Sequence, residues 1–200
     1  GFKFQIAAEQ PTHEATVYIN SKGLGTANIS GSDDLLLPER ELRQVFNGDR
    51  VKVRQTSVDR KGKPWGFVTE VLQHRVKQVI GKVSMYDGEY FVQPSAPNSH
   101  QPITLEKELI EHAKVNLGDS IRVAIDTYPT KEEFATGHIV QSMADKSDTE
   151  IIIPQTILEF GLPYEFPEDV VKDAESFKEP SAKDREGRID LRDLPLVTID

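Results

Sequence analysis

The hexapeptide Gly48-Asp49-Arg50-Val51-Lys52-Val53 returns at an offset of 70 as Gly118-Asp119-Ser120-Ile121-Arg122-Val123. Each copy opens on a Gly-Asp turn pair and continues with β-branched residues alternating with polar or basic ones. That period of two marks a strand with one buried and one solvated face. A weaker echo follows, Trp65-Gly66-Phe67-Val68 against Thr136-Gly137-His138-Ile139, at an offset of 71. Two copies are too few for a solenoid and predict a tandem pair of like domains.

Around the first copy the chain reads as short strands. Thr16 to Asn20 carries Val17, Tyr18 and Ile19 and turns at Lys22-Gly23. Leu24 to Ser30 closes at Gly31-Ser32-Asp33-Asp34, and Leu35 to Leu37 stops at Pro38. Glu39 to Phe46 forms a helical turn, Arg50 to Arg54 the fourth strand, and Trp65 to Gln73 the fifth. Five short strands with a helical turn between the third and fourth match an OB-type barrel. The second copy repeats the plan with Val79 to Met85, Glu89 to Val92 and Ile103 to Leu105. A helix from Glu106 to Ala113 precedes its repeated strands. The predicted fold is mainly β: an N-terminal extension (1–14), two five-stranded barrels (15–76 and 77–145), and a connector leading into the start of a further domain (146–200). Domains near 65 residues bury only about 60% of their unfolded surface, so the barrels should pack on each other or on something further along.

Beyond Asp145, Ile151 to Ile153 reads as an apolar run stopped by Pro154, and Gln155 to Phe160 as a brief helix ended by Gly161. Pro167 fits the first position of a helix through Val170, Val171 and Phe177. Residues 178–188 read as an exposed linker, and Leu194 to Ile199 as the start of a buried strand, so the chain reads as a piece of a longer protein.

Composition excludes several classes. The chain has 200 residues, 24 Lys and Arg against 33 Asp and Glu, and a net charge of −9. No strictly apolar run exceeds three residues, which leaves no transmembrane helix or signal-peptide core. With no cysteine there is no disulfide framework, thiolate metal site or cysteine catalysis. Net acidity argues against a polyanionic partner, but the charge is segmented: +2 over 1–76, −4 over 77–145 and −7 over 146–200. Arg50, Lys52, Arg54, Arg60, Lys61 and Lys63 are opposed within their run only by Asp59. Such a run is either one solvated hairpin face or a phosphate-tracking groove.

The five histidines show no ligand spacing. His13, His74, His100 and His112 read as surface residues and His138 as a half-buried strand residue. Gly23-Leu24-Gly25 is a turn, with Asn28 where a dinucleotide loop needs its third glycine. No complete active site lies within 1–199. Single-strand binding needs cations for phosphates and aromatic faces for bases. The candidates are Tyr18, Lys22, Arg50, Lys52, Arg54, Lys61, Lys63, Trp65 and Phe67 in the first barrel, and Lys82, Tyr86 and Tyr90 in the second. Trp65 and Phe67 share a face. Alternation puts Tyr90 and Phe91 on opposite faces, and Phe91 is assigned to the core.

Three passages carry a family resemblance. They are Leu35-Leu36-Leu37-Pro38 followed by Asn47 to Arg54, then Trp65 to Leu72, and, most specific, Gly187-Arg188-Ile189-Asp190-Leu191-Arg192-Asp193-Leu194-Pro195-Leu196-Val197-Thr198-Ile199-Asp200. Together they resemble the ribonuclease R branch of the ribonuclease II family. The resemblance implies two cold-shock-type domains ahead of a catalytic domain that the last passage opens. It also implies processive 3′→5′ hydrolysis of RNA, structured RNA included, to nucleoside 5′-monophosphates at a Mg²⁺ site of four aspartates. Asp200 matches the first of these. By the same resemblance the partner is single-stranded RNA, and the protein is a cytoplasmic monomer away from membranes. This chain alone should bind RNA, hold no metal and not cut. One departure stands out: the family's Gly-aromatic-Gly-aromatic strand reads Gly23-Leu24-Gly25-Thr26 here, whereas the second barrel keeps Tyr90 and Phe91. The alternative is a free-standing tandem OB-fold protein that binds RNA or another protein and has no nuclease activity.

Overall fold

The two Gly-Asp turns are built alike. Gly48 and Gly118 have φ of 88° and 90°, a region that favours glycine. Asp49 Oδ2 accepts the Phe46 N–H at 2.9 Å, and Asp119 Oδ2 accepts the Asn116 N–H at 2.8 Å. Each aspartate thus ties off the turn that launches a repeated strand. The computed structural model describes residues 11–59, 62–96, 100–163, 166–191 and 193–195.

The first barrel comprises β1 (Thr12–Ile19), β2 (Gly25–Asn28), β3 (Leu35–Leu37), α1 (Glu39–Leu42), β4 (Arg50–Val58) and β5 (Pro64–Gln73). It closes in the order β1-β2-β3-β5-β4, with β3 and β5 parallel. The second comprises β6 (Gln78–Tyr86), β7 (Glu89–Pro94), β8 (Ile103–Leu105), α2 (Lys107–Ala113), β9 (Ser120–Thr127) and β10 (Ala135–Ser142), closed in the same cyclic order. The hexapeptide copies open β4 and β9, and the echo lies on β5 and β10. Strand β1 already begins at Thr12, opposite Arg54. The helical turn α1 is shorter than the sequence suggests, because Asp49 draws Phe46 into the turn.

Val17, Ala27, Leu37, Val51, Val53 and Val68 fill the first barrel; Val83, Val92, Ile103, Leu105, Ile121 and Val123 fill the second. The shared glycine of the echo faces inward in both. A Cβ on Gly66 would lie 2.9 Å from Leu35 Cβ, and one on Gly137 2.3 Å from the Ala124 carbonyl oxygen.

The barrels pack on each other, as their size demands. Phe46, from the first barrel, is buried in the core cluster of the second, a burial that stabilises by roughly 1.5–3 kcal/mol. Fully buried Asp49 also accepts the Arg75 N–H (2.9 Å) and contacts His74 Nδ1 (2.8 Å). The His74 ring stacks on Tyr128 at 3.6 Å, and Tyr128 meets Phe46 edge-on. A second buried carboxylate, Glu41, accepts the Val68 N–H (3.0 Å) and Lys131 Nζ from the β9–β10 loop (3.0 Å). His74 is therefore half-buried rather than a surface residue, because barrel docking closes over it. His138, expected to be half-buried, is exposed and paired with Asp126 at 2.7 Å.

Helix α3 (Asp148–Phe160) comes next and packs on β6. It is one helix through Pro154, so Ile151 to Ile153 are helical and the expected break is absent. Ser147 and Glu150 form a capping box at its start, and Gly161 closes its end at φ 64°. Pro154 forfeits only one internal hydrogen bond between these two signals. Residues 166–195 belong to a separate unit. It holds α4 (Glu168–Ser176), capped by Pro167 rather than containing it, and the short α5 (Ala182–Arg185) inside the expected linker. Leu194 is exposed in a turn, its N–H on the Leu191 carbonyl; residues 196–199 of the expected strand lie outside the described residues. No helix among the described residues is long and apolar enough to cross a membrane.

Candidate nucleic-acid interface

Strand register fixes which side chains line each barrel's outer surface. In the first barrel, Tyr18 lies opposite Thr26, Thr26 opposite Leu36, and Leu36 opposite Trp65. This row winds across four strands with an aromatic at each end; Tyr18 is 57% exposed and Trp65 half-buried. Phe67, two residues along β5, shares Trp65's face, while Gly66 and Val68 point inward. Lys63 is exposed just before this strand, and its N–H closes the turn on Asp59 Oδ1 (2.8 Å). Lys22 is exposed in the β1–β2 turn that Asn20 ties together.

The basic run is less free than its sequence suggests. Arg50 pairs with Glu14 at 2.8 Å and Lys52 with Glu70 at 2.7 Å, both across neighbouring strands. The hydrogen bond and charge of Glu70 hold the Lys52 ammonium above its ordinary pKa of 10.5. Arg54 lies 6.0 Å from the centre of the Phe67 ring. Lys131 Nζ is 3.9 Å from the same centre while bonded to Glu41, so this ring already holds a cation from the second barrel. No local pattern marks Lys131, which sits in a Lys-Glu-Glu triplet and reaches Phe67 only because the barrels dock. Arg60, Lys61 and Asp200 lie outside the described residues.

On the second barrel, Lys82 is exposed on β6, and Tyr86 is 80% exposed at the β6–β7 hairpin tip. The expected faces of β7 are reversed. Tyr90 points the same way as fully buried Val92, lies opposite Leu105, and packs against the core. Phe91 points outward, opposite Ser84 and Thr104, and meets Phe134 edge-on at 5.9 Å. The burial of Val83, Val92 and Ile103 sets this register, and a one-residue error exchanges the faces. The outer row Ser84, Phe91, Thr104, Thr136 is the counterpart of Tyr18, Thr26, Leu36, Trp65.

The structure thus gathers Lys63, Trp65, Phe67 and Arg54 along β5 and its neighbour, with Tyr18 and Lys22 on β1 and its turn. Partly exposed aromatics beside cations can stack bases and hold phosphates, at about 1–3 kcal/mol per stacked base. Among the described residues, no group of three or more His, Cys, Asp or Glu could hold a metal ion.

Comparison with known proteins agrees with this architecture. A family model described as the ribonuclease B OB domain matches residues 15–71, and one described as a cold shock domain matches 91–167. The ribonuclease R of Acidithiobacillus ferrooxidans is 29% identical, over 98% of this chain and 45% of its own length. That of Aquifex aeolicus is 30% identical, over 99% of this chain and 28% of its own. The chain therefore spans less than half the length of these relatives. The fold is similar to that of Mycoplasma genitalium RNase R in complex with ribose methylated single-stranded RNA. That likeness has a TM-score of 0.66 at 15% identity and covers 87% of this chain and 28% of that one.

Proposed function

Because this chain belongs to the ribonuclease R family, we propose that its barrel pair binds single-stranded RNA and guides it to the catalytic domain of a processive 3′→5′ exoribonuclease. The observation that carries this reading is the β5 surface, where half-buried Trp65 stands between Lys63 and the Arg54–Phe67 pair. The solved RNase R with single-stranded RNA, similar in fold, supports the same partner. The products would be nucleoside 5′-monophosphates, and the protein would act as a cytoplasmic monomer away from membranes. Asp200 would supply one ligand of a Mg²⁺ site. The described residues offer no set that fits the ion, so no step is assigned to it in this chain.

The test is a titration of labelled oligo(A) followed by anisotropy, with parallel incubation in Mg²⁺. The chain should bind, Trp65→Ala should weaken binding by about 1–3 kcal/mol, and no mononucleotide should appear. Binding unaffected by Trp65→Ala would move the platform elsewhere. Mononucleotide release by this chain would overturn the division between guiding and cutting.

A further inference from the structure

We infer that the outer face of the second barrel reads the ribose. Phe91 stacks a base, and the hydroxyls of Ser84 and Thr104 engage the 2′-hydroxyl, so that this barrel separates RNA from DNA. The inference rests on the proposed binding of single-stranded RNA and names the chemical group recognised. Ser84 and Thr104 lie directly opposite Phe91 on its two neighbouring strands. Directly opposed Cβ atoms are about 4.5–5.5 Å apart, so both hydroxyls border whatever rests on the ring.

Three observations favour the sugar over the phosphate or the base edge. The segment 77–145 carries a net charge of −4, so phosphate attraction is a poor source of affinity there. The hydroxyls are available: Thr104 has no side-chain hydrogen bond among the described residues, and Ser84 makes only a long one, 3.4 Å to the Phe91 carbonyl. A serine or threonine hydroxyl both donates and accepts, as the 2′-hydroxyl does, and that group distinguishes RNA from DNA. Phe91 is half-buried and meets Phe134 edge-to-face, so the two rings do not stack on each other in a sandwich. The equivalent row of the first barrel lacks this arrangement. There Tyr18 and Leu36 flank Thr26, whose hydroxyl is engaged with Asn28 Oδ1 at 3.2 Å.

The experiment titrates the chain with labelled oligo(rU), oligo(dU) and 2′-O-methyl oligo(U). Thr104→Val and Ser84→Ala should each weaken oligo(rU) binding about two- to tenfold, the worth of one net hydrogen bond, and leave oligo(dU) unchanged. Thr104→Ser, which keeps the hydroxyl, should retain the discrimination, and the 2′-O-methyl strand should bind more weakly than oligo(rU). An unchanged rU-to-dU ratio in both variants overturns the inference while leaving RNA binding intact. Failure of the parent chain to bind oligo(rU) overturns the inference together with the reading beneath it. Should Thr104→Val not fold, Ser84→Ala decides by the same ratio.

Discussion

The two barrels share turns, strand order and inward-facing residues, yet their equivalent outer rows differ at every position. Tyr18 stands where the second barrel has Ser84, Thr26 where it has Phe91, Leu36 where it has Thr104, and Trp65 where it has Thr136. Inward positions answer to barrel closure, as the clashes at Gly66 and Gly137 show. Outward positions meet no such constraint and are open to function. The first barrel has aromatics at the row's ends and cations nearby; the second has one aromatic between hydroxyls.

The turn aspartates put the sharpest strain on the likeness. Asp49 and Asp119 occupy the same place in the repeat, but Asp49 is fully buried and holds Phe46, His74 and Arg75, while Asp119 is half-buried and, among the described residues, its side chain holds Asn116 alone. Asp49→Ala leaves the Phe46 and Arg75 N–H groups without their acceptor, at about 1–3 kcal/mol for each buried donor left unsatisfied, so it should lower the melting temperature by many degrees. Asp119→Ala should cost about 1 kcal/mol, the worth of one net hydrogen bond. Equal losses in thermal melts would mean that the Asp49 network does not join the barrels.

Next in size is the pair on β7. Tyr90→Ala should destabilise by about 2–3 kcal/mol, less than a fully buried aromatic because the ring is only partly covered. Phe91→Ala, half-buried but outside the core cluster, should cost less stability than Tyr90→Ala and lose about 1–3 kcal/mol of RNA affinity. The opposite pattern would restore the faces that the sequence suggests.

A smaller effect separates free from paired cations. Arg54→Gln should lower the salt dependence of RNA binding by roughly 0.7, the single-strand value for one phosphate contact. Lys52→Gln should change it less, because Glu70 already neutralises the ammonium. Equal changes would mean that RNA displaces Glu70.

These contrasts mark what was legible in the sequence. The repeat was, since its turn chemistry and alternation are local to six residues. The outward placement of Trp65 and Phe67 followed from alternation along one strand. The faces of Tyr90 and Phe91 did not, because two adjacent aromatics fit either register and only their cross-strand neighbours decide. Glu14 and Glu70 are distant in sequence from the cations they neutralise and meet them through strand pairing. His74, Tyr128 and Lys131 acquire their roles only when one barrel docks on the other, and no local pattern encodes that. The helix through Pro154 was readable from Ser147-x-x-Glu150 and Gly161, but the proline masked it.

The smallest expected effect is alkaline and should fall on the junction and the first barrel. Burial, and then the charge of Asp49, raise the Tyr128 hydroxyl above its ordinary pKa of 10.0, and its O–H donates to the Val76 carbonyl at 3.0 Å. Lys52 is raised above 10.5 by Glu70. In both cases the folded state holds its proton more tightly than the unfolded one. The stability each contributes is therefore fully present below the ordinary value and is lost as pH rises through the raised one. Melting temperature measured upward from pH 9 should accordingly fall beyond about pH 10, where the unfolded tyrosine begins to ionise. Tyr128→Phe should flatten the first part of that fall, and Lys52→Met the later part. A Tyr128→Phe curve parallel to the parent's would show that the hydroxyl at the junction carries none of the alkaline loss.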